Sequence, residues 1–139
     1  MTSKELAKKV VDQMFRKDYY SQWLGIERLE EDAGKSILRL TIRKEMLNGF
    51  GIAHGGITYS LADSALAFAC NSHGRKTVSV ETSISHTVAL KEGDVLTAFA
   101  EEESKSNKIG VYRVIVKRET EVVAVFKGVV YRTSKEWEI

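Results

Sequence analysis

The sequence predicts an α+β domain in which one antiparallel sheet curves around a single apolar helix. Three observations predict it. The 139 residues suit one domain and can bury a real core, with 43% apolar and 29% charged residues. Residues 48–72 open with glycines and continue as a long run of small and apolar side chains. On both sides of that run the hydrophobic pattern has the period of two that belongs to strands. A lone apolar helix beside a long antiparallel sheet must be covered by that sheet.

The elements follow in order. Residues 2–17 read as a helix, with Thr2 and Glu5 as a capping box and Leu6, Val10, Met14 and Phe15 at helical spacing. Lys4, Lys8, Lys9, Arg16 and Lys17 lie around the other side, as on a surface helix docked by its apolar stripe. From Gln22 onward the period changes: WLGIERLE and SILRLTIR read as strands separated by the acidic turn EDAG. Leu38, Leu40 and Ile42 alternate with Arg39, Thr41 and Arg43, which predicts one buried face. The central helix comes next. After it TVSVETSISHTVAL, DVLTAFAEEE, IGVYRVIVKR and EVVAVFKGVVYRTS read as four strands, the last two joined around Glu119 and Thr120.

Composition excludes several classes of function. A net charge of +2, with both signs mixed along the chain, argues against a nucleic-acid partner. No apolar run approaches the ~20 residues of a bilayer span. The first residues lack a signal-peptide core, and the single cysteine, Cys70, excludes an internal disulfide. Both point to the cytoplasm. The three histidines, His54, His73 and His86, lack metal-ligand spacing, so no metal is expected.

The central segment carries the chemistry. Gly49, Gly51, Gly55 and Gly56 surround His54. Glycines at a helix start let a carbonyl oxygen or an anion approach the unpaired N–H groups of the first turn, although many such runs are only turns. Asp63 is the sharper signal. Its neighbours on one helix face are Tyr59, Ser60, Leu66, Ala67 and Cys70, and an unpaired carboxylate among them is costly. Two readings stand. Asp63 is either bonded to Ser60, Tyr59 or a neighbouring strand, or held in a dry site for chemistry with a tuned pKa. Gly55 and Asp63 are eight positions apart, about 12 Å along a helix. One carbonyl cannot touch both in one subunit. If both act on it, two antiparallel helices at a twofold axis must bring them together, which requires a homodimer.

The run NGFGIAHGGITYSLADSA, then ACNSHG, LKEGDVLTAFA and FKGVVYRT, resembles the hotdog thioesterases of the phenylacetic-acid-degradation type. The likeness covers residues 20–133 of one domain spanning 1–139, with 1–19 as an N-terminal helix and 134–139 as a tail. It implies a hotdog fold, paired into dimers and often into a dimer of dimers, that hydrolyses acyl-coenzyme A thioesters. Coenzyme A is then part of the substrate and no separate cofactor is expected. The resemblance implies that the Gly55 N–H, at the Gly55-Gly56 helix start, stabilises the oxyanion. Asp63 of the partner chain would activate water or attack directly. Asn48 would orient the water or the thioester, and His54 would shape the loop or bond near the carbonyl. Ser64 and Ala67 fall where the family lines its acyl pocket, and Ser79 where some relatives place a serine beside the reacting centre. Lys91, Lys105, Asn107, Lys108 and Arg132 are candidates for the coenzyme A phosphates.

Tyr59, Leu66 and Phe68 suit either an aryl or medium acyl pocket or the core. The chain departs from the family where it has His86 in place of an aromatic residue and Ala89 in place of a proline. Two alternatives compete. One is a non-catalytic acyl-coenzyme A binding module, which the retained Asp63 disfavours. The other is a hotdog dehydratase, disfavoured because the chain has no proline and no glutamate on the central helix.

Overall fold

A computed structural model describes residues 1–139. Helix α1 (Ser3–Lys17) starts where Thr2 Oγ1 accepts the Glu5 N–H at 3.1 Å, and it buries Ala7, Val10 and Val11. Asp18 ends it and caps a second, short helix, α2 (Tyr19–Trp23), through its Oδ1 and the Ser21 N–H. This corrects the strand expected from Gln22. Local capping outweighs the apolar alternation there, and Gly25, at φ 77°, turns the chain so that β1 (Glu27–Asp32) begins later. A tight turn with Gly34 at φ 71° returns the chain as β2 (Lys35–Thr41).

A 3-10 turn, Lys44–Met46, and a loop lead to the central helix α3 (Gly55–Asn71). Four strands follow: β3 (Arg75–His86), β4 (Val95–Lys105), β5 (Ile109–Arg118) and β6 (Glu121–Glu136). The six strands form one antiparallel sheet in the order β1-β2-β4-β5-β6-β3. The expected order of helix, two strands, apolar helix and four strands is therefore observed, with α2 added. β3 stops at His86, and Thr87–Leu90 form a loop instead of continuing the strand, because the Leu90 carbonyl turns away to accept the Ala53 N–H. Residues 134–136, expected in a tail, continue β6. Trp137 is then docked: its N–H donates to the Gly74 carbonyl and its Nε1 to Asn71 Oδ1.

The concave side of the sheet holds α3. Leu61, Ala65, Leu66, Phe68 and Ala69 are buried against Leu38, Leu40, Leu96, Val114, Val116 and Phe126. Burial of this apolar area is the main favourable term in folding. Leu66 of α3 packs directly on Gly128 of β6, where an added methyl group would lie 2.5 Å from Leu66 Cδ2. We predict that Gly128→Ala destabilises the protein by about 1–3 kcal/mol through overpacking. Chemical denaturation measures it, and an unchanged midpoint contradicts the packing described. The register sets the direction of α3. It starts beside His86, at the end of β3 that pairs with Ala124. It finishes at Asn71, whose side chain bonds both the N–H and the carbonyl of Thr77 near the other end of β3.

Candidate active site

The start of α3 is fixed from three directions. The His54 N–H donates to the Met46 carbonyl and the Ala53 N–H to the Leu90 carbonyl, each at 2.8 Å. His54 is the N-cap: its Nδ1 accepts the Gly56 N–H at 2.9 Å, and its carbonyl accepts the Ile57 N–H. The tautomer follows, with the proton on Nε2. Two first-turn amides are thus engaged, and the Gly55 N–H is left unpaired. Of the Gly55-Gly56 pair, only Gly55 has an N–H free for a ligand. The His54 ring secures the Gly56 N–H.

Asn48 is also half committed. Its Oδ1 accepts the Phe50 N–H at 2.9 Å and the Ile52 N–H at 3.4 Å, which holds the glycine loop. The Nδ2 donors remain. Asn48, Gly55, Thr58, His86, Val88 and Ala89 line one cleft of about 370 Å³. It is furnished with donors and carries no carboxylate.

Asp63 lies two turns further along α3 in a different cleft of about 430 Å³, with Met14, Leu66, Ala67, Cys70, Ser79 and Trp137 among its walls. The expected partners of Asp63 are engaged elsewhere. The Tyr59 hydroxyl shares a hydrogen bond with Thr82 Oγ1 at 2.5 Å. Ser60 Oγ donates to the Gly56 carbonyl at 2.7 Å and meets the Tyr20 hydroxyl at 2.8 Å. The carboxylate is left without a hydrogen bond from the chain. Burial pushes its pKa up, and the negative charge of Asp18 adds to the effect. Cys70 lines the same cleft, and burial pushes its thiol up to about 12.

The remaining candidates divide between these features. Ala67 and Ser79 line the Asp63 cleft, Ser79 at a register shift in β3. Ser64 faces α2: its Oγ meets Ser21 Oγ at 2.8 Å, and Ser21 Oγ donates to Asp18 Oδ2 at 2.7 Å. Tyr59 and Phe68 pack edge-on against Phe126 and Phe15. Lys105, Asn107 and Lys108 surround the β4–β5 hairpin, beside the C-terminal end of α3. Arg132 braces that hairpin, its Nη1 donating to the Ser106 carbonyl at 2.8 Å. Arg75, which sequence reasoning missed, does the same through the Asn107 carbonyl at 2.6 Å. Lys91 is at the opposite end of the sheet, next to Leu90 of the donor cleft. Trp137 was missed too, since one aromatic residue past a strand has no distinguishing pattern.

No helix is long and apolar enough to cross a membrane. Residues 50–125 match the model of the thioesterase superfamily. The acyl-coenzyme A thioesterase PaaI of Escherichia coli is 37% identical over 120 residues, covering 86% of each chain. The structure of the Escherichia coli PaaI protein from the phenylacetic acid degradation operon superposes with a TM-score of 0.95 at 32% identity, over 97% of this chain and 99% of that one. A hypothetical thioesterase of Streptococcus pneumoniae, solved with coenzyme A, gives a TM-score of 0.77 at 25% identity, over 81% and 88% of the two chains. A six-stranded antiparallel sheet wrapped around one central helix agrees with these matches. The chain belongs to the thioesterase superfamily, as a PaaI-like thioester hydrolase of the hotdog fold.

Proposed function

We propose that this protein hydrolyses acyl-coenzyme A thioesters in a site shared between two copies of the chain. The observation that carries the reading is the separation of two incomplete half-sites. The donor cleft has an unpaired Gly55 N–H and the Asn48 amide. The second cleft has an unpaired, raised-pKa Asp63. Eight helical positions, about 12 Å, separate them within one chain. A twofold axis perpendicular to α3 sets the two copies of the helix antiparallel and joins Gly55 of one subunit to Asp63 of another. β3 is an edge strand with Val78 and Val80 exposed at 55% and 61%, and it offers the surface for that pairing. The assembly proposed is a homodimer, doubled to a tetramer.

In this site the thioester oxygen accepts the Gly55 N–H and an Asn48 Nδ2–H. Asp63 of the second subunit takes a proton from water as the water oxygen bonds to the carbonyl carbon. The oxyanion collapses, the C–S bond breaks, and the thiolate of coenzyme A leaves and takes up the proton. Burial suits Asp63 to this task by making it a stronger base than an exposed aspartate.

The acyl group lies along the Asp63 cleft, between Leu66, Ala67 and Val78. Trp137 closes that cleft, held by Asn71 and by Lys76 Nζ 5.0 Å from its ring centroid. A cleft of about 430 Å³ closed by an indole suits an aryl or medium-chain acyl group, phenylacetyl among them. Ser79 contacts the reacting end, and Ser64 holds α2 beside Asp63. Lys105, Asn107, Lys108 and Lys91 supply phosphate contacts, with Arg132 bracing the hairpin. Cytoplasmic residence agrees with a single, buried, unpaired cysteine.

The test is a panel of acyl-coenzyme A esters assayed for free thiol. The expected result is turnover of phenylacetyl and medium-chain esters. In Trp137→Ala, preference shifts about tenfold or more towards longer chains. Tight binding without thiol release across the panel supports the binding-module reading instead.

A further inference from the structure

His86 is the last residue of β3, paired with Ala124. Its ring lies against the backbone at the start of α3. A methyl group on Gly55 would be 3.1 Å from His86 Nε2 and 3.5 Å from its Cε1. The side chain borders the same cleft as Asn48 and Gly55, and the chain gives neither ring nitrogen a hydrogen-bond partner. The free donors of this cleft include a peptide N–H, a carboxamide and an imidazole. An imidazole has at least one N–H in either charge state.

We propose that His86 is a further catalytic residue, donating an N–H to the thioester oxygen beside the Gly55 N–H. The proposal rests on the acyl-thioester reading above. A tetrahedral oxyanion has more lone pairs than one amide can satisfy, and donors preplaced around it act without reorganisation. His86 here keeps its proton throughout. The proton lost by water goes to Asp63 and then to the departing thiolate. Because the positive end of α3 already faces this oxygen, the imidazole N–H adds to a field of the same sign.

The experiment compares His86→Phe and His86→Gln with wild type on one turned-over acyl-coenzyme A ester. Glutamine can place an N–H near the position of Nε2, and phenylalanine cannot. The expected result is a kcat about 10²-fold lower in His86→Phe with KM within about threefold, and recovery of about tenfold or more in His86→Gln. A second readout is independent of turnover. In the Asp63→Asn background, with acyl-coenzyme A bound and unreacted, the thioester carbonyl stretch moves to higher frequency when His86 is also replaced by Phe. Wild-type kcat in His86→Phe, a change confined to KM, no recovery in His86→Gln, or an unmoved carbonyl stretch overturns the proposal and leaves the thioesterase reading standing. A wild-type protein that releases no thiol from any ester overturns both.

Discussion

Asp63→Asn lowers kcat by about 10³-fold or more and at the same time raises the thermal midpoint. The loss of rate follows from removing the only carboxylate of its cleft, and general-base catalysis contributes about 10²–10⁴-fold. The gain in stability follows from the same geometry. Asp63 is partly buried on an apolar helix face with no hydrogen bond, and its pKa is raised. A carboxyl group whose folded pKa exceeds its unfolded value favours the folded state below the unfolded pKa. That contribution is lost as pH rises through the folded pKa. At neutral pH the ionised Asp63 therefore costs stability, and a neutral amide of the same shape relieves the cost. Most substitutions destabilise, so a rise is a discriminating outcome. The sign also sets the pH profile. The base must be ionised, so kcat/KM falls as pH drops through the Asp63 pKa, and this acid limb lies above the ordinary value of 3.8. Calorimetry with steady-state kinetics checks both halves. A stable but fully active Asp63→Asn protein contradicts the assignment.

Gly55→Val lowers kcat/KM by about 10²–10³-fold, the range for loss of one oxyanion donor. The peptide N–H is still present in this variant, but the branched side chain fills the space in front of it. A Cβ alone already comes within 3.1 Å of His86 Nε2. The effect on stability is expected to be small, because the position is at the helix start and faces a cleft instead of the packed core. Activity near wild type in a folded Gly55→Val protein places the carbonyl oxygen somewhere else.

Much of this was legible in the amino-acid order. The period-two segments and the apolar run predict six strands around one helix, because burial on one face leaves that pattern. Asp63 stands out because a carboxylate on an apolar helix face demands a reason. What remained hidden depends on contacts between segments distant in sequence. Whether Asp63 is paired depends on Tyr59 and Ser60, and their partners Thr82 and Tyr20 come from β3 and α2. Ser64 was expected in the acyl pocket, yet α2, which the periodicity concealed, draws it towards Ser21. The choice between Gly55 and Gly56 as the free donor is made by one His54 nitrogen. His86 stood out only as a residue in an unusual place, and its ring acquires meaning once the end of β3 is set against Gly55. Trp137 depends on Asn71 and Gly74, more than sixty positions earlier.

The central claim is that a peptide amide of one subunit and a carboxylate of the other serve one substrate. Subunit complementation tests it most directly. Asp63→Asn and Gly55→Val, each nearly inactive alone, are unfolded together in equal amounts, refolded and assayed. Random pairing makes half of the dimers mixed, and each mixed dimer has one intact site, so about a quarter of wild-type activity returns. Activity no greater than the sum of the two variants, in a preparation shown to contain mixed dimers, contradicts the shared site.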